Sequence, residues 1–195
     1  METMQTEEIE LDAEDIVLMV LEASERIFSK SVFRGVTRLE KLIFLLEEET
    51  EFEGVGEFFP FEAHNFGPFS KEVYAAVEFL EGIDLIEVSE RTYASPKAVS
   101  EEHKLTYEIS DESQGKLATE KLFKLTENGR KVAKIMRQSV ARKKASDIEE
   151  LDGIVRNYGS RTLNHLIRYV YRQYPALTTK SIHPEAAKLP KPSAQ

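Results

Sequence analysis

The sequence predicts a mainly α fold with a small β element (α+β), a winged-helix-like domain followed by a helical C-terminal extension. Three observations carry that prediction. Apolar residues recur at helical spacing in most of the chain, β-prone segments are few and short, and the elements follow the order helix, helix, short strand, helix, strand, long polar loop, strand, helix. A length of 195 residues fits one compact domain with an extension, and 41% apolar content can fill its core.

The first helix is expected from Asp12 to about Ser29. Asp12 can cap it, and Ile16, Met19, Val20, Ala23 and Ile27 share one face. Gly35 breaks the chain. Thr37 and Glu40 then read as a T-x-x-E capping box opening a second helix, whose stripe is Leu39, Leu42, Ile43 and Leu46. Gly54 and Gly56 mark a turn, and the aromatic run Phe58–Phe61 reads as a short strand. In a winged helix the first strand lies between helices one and two; here the best candidate follows helix two. Asn65-Phe66-Gly67-Pro68 is a turn that puts Pro68 at the first position of helix three, whose buried stripe is Val73, Ala76, Val77 and Leu80, with Gly82 as its C-cap.

Ile83–Val88 and Lys104–Ile109 read as strands flanking a polar stretch, Asp111–Glu120 as a loop and Lys121–Leu125 as a further strand. Thr126 caps a helix over about 127–145, and a shorter one runs from Asp147 to Asn157. After the break at Tyr158-Gly159-Ser160, the last helix, about 161–174, is two-faced. Leu163, Leu166, Ile167, Val170 and Tyr174 line one side; Arg161, His165, Arg168 and Arg172 line the other. Pro175 stops it. The predicted organisation is a domain over 1–126, a helical extension over 127–182 packing on it, and a tail over 183–195.

Charge is divided along the chain. Within a net −9, residues 1–119 hold 28 acids against 10 bases, and residues 120–195 hold 7 acids against 16 bases. Arg130, Lys131, Lys134, Arg137, Arg142, Lys143 and Lys144 have no acid between them. Such a division can steer a charged partner or draw the two halves together. No apolar run approaches the roughly 20 residues that span a bilayer, and the acidic N-terminus lacks the basic and apolar regions of a secretory signal, so no membrane is expected. With no cysteine, disulfides, zinc thiolates and thiol nucleophiles are excluded, and a cytoplasmic location is the expectation.

Two segments resemble a known family. Arg38-Leu39-Glu40-Lys41-Leu42-Ile43-Phe44-Leu45-Leu46 is similar to the "KLQKLLYF" helix of the Panacea domain, found in SocA-like antitoxins and phage-associated proteins. Phe61-Glu62-Ala63-His64-Asn65-Phe66-Gly67-Pro68-Phe69-Ser70-Lys71-Glu72-Val73-Tyr74 resembles that family's "F-x-A-W-x-Y-G-P-x…V-Y" stretch and the "YGP-[FY]-S" stretch of YwgA-like proteins. His64 stands where the Panacea pattern has Trp, and Phe66 where it has Tyr. The resemblance covers about residues 37–88. It implies a non-enzymatic module that binds protein partners, some members carrying additional DNA-binding regions. His64, Phe66, Gly67, Pro68, Phe69, Lys71 and Tyr74 are the partner-binding candidates. Phe66 and Phe69 read either as a core staple or as a recognition patch, and His64 either as a hydrogen-bonded structural residue or as a ligand-binding one.

No catalytic, cofactor or metal motif is complete. Gly54-Val55-Gly56 lacks the third glycine of a dinucleotide loop and is flanked by Glu53 and Glu57, which repel phosphate. There is no G-x-S-x-G, and His64, His103, His165 and His183 lack metal-ligand spacing. Asp84 with Glu102-His103-Lys104 has the loose order of a Mg²⁺-dependent nuclease, a remote reading that many acids produce by chance. DNA binding is the main rival. A winged helix reads DNA with helix three, yet residues 70–81 carry one base against three acids. The wing-like loop mixes Arg91, Lys97 and Lys104 with Glu90, Glu101 and Glu102. A nucleic-acid patch would therefore have to use Arg130, Lys131, Lys134, Arg137, Arg142, Lys143, Lys144, Arg161, Arg168 and Arg172. The leading expectation is a non-enzymatic regulatory module that binds a protein partner, a toxin in the antitoxin version or a second copy in a homodimer. The alternative is a DNA-binding transcriptional regulator.

Overall fold

The computed structural model describes residues 11–52, 58–93, 118–182 and 186–188. Helix α1 (Ala13–Phe28) begins at Asp12, whose backbone N–H donates to Asp15 Oδ2 at 3.0 Å. Strand β1 (Phe33–Arg34) and helix α2 (Val36–Glu49) follow, with Gly35 between them at φ 84°. The antiparallel hairpin of β2 (Glu62–His64) and β3 (Gly67–Phe69) leads into α3 (Lys71–Gly82). Then come β4 (Ile86–Tyr93), β5 (Ala118–Leu125), α4 (Glu127–Lys143), α5 (Ala145–Tyr158) and α6 (Leu163–Gln173), closed by 3₁₀ turns at Pro175–Thr178 and Ala186–Lys188. The molecule is thus mainly helical with a small antiparallel sheet.

The three-stranded sheet has the order β1-β5-β4. β1 pairs Phe33 with Phe123, and β4 runs along β5 from Ile86–Leu125 to Tyr93–Ala118. The short β1 carries no strand pattern of its own; Gly35 N–H donates to Lys121 O at 2.9 Å and holds it to β5. The core centres on α1 and α2. Leu39 to Leu46 are buried without interruption, so α2 is enclosed on all sides rather than along one stripe. α1 packs on α3, α4 and α5, and α2 packs on α5 and α6.

Several local expectations are corrected. Thr37 and Glu40 do not form a capping box: α2 starts one residue before Thr37, Gly35 is its N-cap, and both side chains are buried. The run Phe58–Phe61 is not a strand. Phe59 and Phe61 pack as rings beside Phe44, and pairing begins only at Glu62. Pro68 lies in β3, paired with Ala63, and Ser70 caps α3 instead, its Oγ accepting from Glu72 N–H at 3.3 Å. Gly82 is the last residue of α3, and the cap is Ile83. The strand expected at Ile83–Val88 begins later, because Asp84 turns the chain at φ 58°. Residues 118–120, expected in a loop, belong to β5. The strand expected at Lys104–Ile109 lies outside the described residues.

Candidate functional site

The β2–β3 hairpin is fixed by its glycine. Gly67 holds φ +87°, a conformation that L side chains resist, and its Cα faces the ring of the buried Tyr171. The Tyr171 hydroxyl meets Ser181 Oγ at 2.5 Å, and Ser181 Oγ donates to Asn65 O at 3.0 Å. Ile182 N–H reaches the same carbonyl at 3.0 Å. The turn is therefore tied from behind by α6 and by the chain that follows the 3₁₀ turn.

Between this hairpin, α2 and the start of α3 lies a pocket of about 440 Å³. His64, Phe66, Gly67, Pro68, Phe69, Lys71 and Tyr74 all line it. The Phe69 ring stands 4.6 Å from that of His64 and 5.6 Å from that of Tyr74, so three rings run along one wall. Phe66 and Phe69 are half-buried and line the pocket.

Sequence reasoning missed the other side, which includes Val36, Thr37, Glu40 and Lys41 from α2. Glu40 is 3% and Lys41 1% exposed. Lys41 Nζ donates to Pro68 O at 2.5 Å, joining α2 to β3. The Glu40 carboxylate takes the Ser70 backbone N–H, but its Oε1 is buried with no hydrogen-bond partner among the described residues. Burial pushes the Glu40 carboxyl up to about 7, against the opposing pull of the Lys41 charge, and it lowers the Lys41 ammonium. The signal was in the sequence: adjacent opposite charges set in the middle of Leu39-Glu40-Lys41-Leu42-Ile43-Phe44.

The ten nucleic-acid candidates do not converge in this way. Arg130 grips Glu25 of α1 through Nε at 2.6 Å and through a second nitrogen at 3.0 Å. Arg137 binds both oxygens of Asp152 at 2.8 and 2.5 Å and stands 3.7 Å from Glu22. Lys144 meets Asp147 at 2.9 Å and Lys131 meets Glu127 at 2.7 Å. Arg161 lies over the rings of Tyr158 and Tyr169, 4.6 and 5.4 Å from their centroids. Lys134, Arg142, Lys143 and Arg172 are exposed, and Arg168 is half-buried. Much of the charge division is thus spent holding α4 to α1 and α5.

A second pocket, of about 220 Å³, contains Arg34, Arg38 and Arg161 with Glu120. Its arginines are engaged: Arg34 pairs with Glu120 at 2.8 Å, Arg38 donates to the carbonyls of Gly159 and Arg161 at 3.2 and 2.5 Å, and Arg161 Nε donates to Asn157 O at 2.9 Å; Lys30 also lines it. Of the nuclease candidates, Asp84 is exposed in its turn, and Glu102 and Lys104 lie outside the described residues. Among the described residues no cluster of His, Asp and Glu could hold a metal ion, and no helix is long and apolar enough to cross a membrane. Comparison of the chain with family models, with curated proteins and with solved structures returns no match.

Proposed function

We propose that this chain is a non-enzymatic regulatory module of winged-helix type that acts by binding a protein partner, in the antitoxin manner that the Panacea resemblance implies. The element order supports the winged-helix reading: β1 falls between α1 and α2, and β5 lies in the middle of the sheet beside β4.

The observation that carries the partner reading is the outward face of α3, the helix that would read DNA. It exposes Glu78 and Glu81 together with Phe79, 53% exposed, beside Ile83, 49% exposed, with Lys71 as the base at its start. Such a face repels phosphates and suits an apolar polypeptide surface rimmed with bases. The acidic pairing of Arg130 and Arg137 further supports this choice over nucleic acid.

Affinity capture from the native cell tests it. The wild-type chain is expected to retain a specific protein that the surface variant Phe79→Asp does not. Recovery of no such protein, or retention of DNA from the gene's own upstream region in a salt-sensitive gel shift, would overturn the reading in favour of a transcriptional regulator.

A further inference from the structure

We infer that the pocket between α2, the β2–β3 hairpin and α3 receives a single arginine side chain of the protein partner, an inference that rests on the partner reading above. Glu40 provides the first argument. Its Oε1 is a buried acceptor without a donor among the described residues, and Glu40 lines the pocket. A buried carboxylate oxygen in that state calls for an N–H group, and a charged donor satisfies it best. Lys41 does not fill this role with the bond it makes, because its ammonium is turned to the Pro68 carbonyl.

The walls provide the second argument. His64, Phe69 and Tyr74 present a run of rings, and Phe66 and Pro68 add apolar surface. A guanidinium is planar, weakly hydrated and stacks on aromatic faces while its edge donates to a carboxylate. The volume of about 440 Å³ admits that long side chain with its stem along the apolar wall. A phosphate or carboxylate ligand would meet the Glu40 charge. The titratable groups facing the pocket are Glu40 and Lys41 on α2, His64 on β2, and Lys71 and Tyr74 on α3. Lys71 is exposed and lies 3.6 Å from Glu72, which offsets its charge at the rim. Entry of a cation stabilises ionised Glu40, so binding near neutral pH releases a proton.

Backbone amide NMR of the full chain, titrated with N-acetyl-arginine amide and with its neutral isostere N-acetyl-citrulline amide, tests this assignment. Saturable shifts at Gly67, Phe69 and Ser70 are expected with arginine, with citrulline about tenfold weaker. Glu40→Gln is expected to abolish that preference, and Tyr74→Ala, a half-exposed wall position, to weaken arginine binding should Glu40→Gln not fold. Equal binding of the two amides, or no saturable shift with either, overturns the assignment. The two readings fail separately. A partner captured equally by wild type and by folded Glu40→Gln refutes the arginine site alone, whereas arginine selectivity without any captured protein refutes the partner as the source of the arginine and leaves the pocket's preference for a guanidinium standing.

Discussion

Gly67 and Tyr171 sit against each other so closely that a methyl group at Gly67 would lie 2.7 Å from Tyr171 Cε1. Two penalties then fall on Gly67→Ala: a positive φ that a Cβ disfavours, and overlap with a ring held in the core. The variant is expected to lose about 2–4 kcal/mol, read from denaturant unfolding. Tyr171→Leu removes the overlap but not the backbone cost, so Gly67→Ala should cost less in that background. An equal cost in both backgrounds would mean that the ring contact is unimportant.

The Glu40 carboxyl, pushed up by burial to about 7 from an ordinary 4.5, sets a pH dependence of stability. Between those values the folded chain holds more proton at Glu40 than the unfolded chain does. Stability therefore falls as pH rises from about 4.5 to about 7, and the penalty is absent below that window. Glu47 adds to the same trend up to about 6, its carboxyl raised first by burial and then by Glu48. Glu40→Gln should gain stability relative to wild type as pH rises through the window, measured by unfolding at several pH values. A difference that does not vary with pH would refute the buried, raised carboxyl.

The helices were legible in the sequence where one face is apolar and the other is not. Residues 163–173 form α6 with Leu163, Leu166, Ile167 and Val170 inside and His165 and Arg172 exposed, as their spacing predicts, while Arg168 is half-buried. Thr126 caps α4, its Oγ1 accepting from Gly129 N–H at 2.9 Å. Elements whose identity depends on a distant partner were not legible. Phe33–Arg34 is a strand because Phe123 and Leu122 lie opposite. Pro68 is a strand residue for a local reason, the tight hairpin that sets Ala63 opposite it. The pocket was half legible. The segment His64–Tyr74 is contiguous, but Glu40 and Lys41 join it only through the packing of α2 behind the hairpin. The fate of the basic run was hidden for the same reason, since its acids Glu22, Glu25 and Asp152 come from α1 and α5.

Those ion pairs should rank by burial. Arg137 links α4 to Asp152 of α5, with both side chains largely shielded, so Arg137→Ala leaves a buried carboxylate with Arg26 as its remaining partner at 2.6 Å. A loss of about 2–4 kcal/mol is expected, with weak dependence on salt. Arg130→Ala, at a more exposed pair, should lose at most about 1 kcal/mol, and Lys131→Ala should stay within about 0.5 kcal/mol. Thermal or denaturant unfolding of the three variants checks the order. If Arg130→Ala were the most damaging, the bidentate Asp152 contact would not be what holds α4 to α5.

The tyrosines of α5 and α6 extend the same logic to alkaline pH. Tyr158 and Tyr169 both donate to Glu49, at 2.6 and 2.7 Å, so neither can lose its proton without setting a phenolate against a carboxylate. Burial acts first and Glu49 second in raising the Tyr158 hydroxyl, and burial pushes Tyr171 and Tyr174 up to about 12. These hydroxyls ionise earlier in the unfolded chain, near an ordinary 10, so the folded chain retains protons that the unfolded one has lost. Stability then declines as pH climbs above about 10. Unfolding at about pH 11 should produce a rise in tyrosinate absorbance, and Glu49→Gln should make that rise smaller by letting Tyr158 and Tyr169 ionise sooner in the folded state. An unchanged rise in the variant would show that the Glu49 carboxylate does not hold these two protons in place.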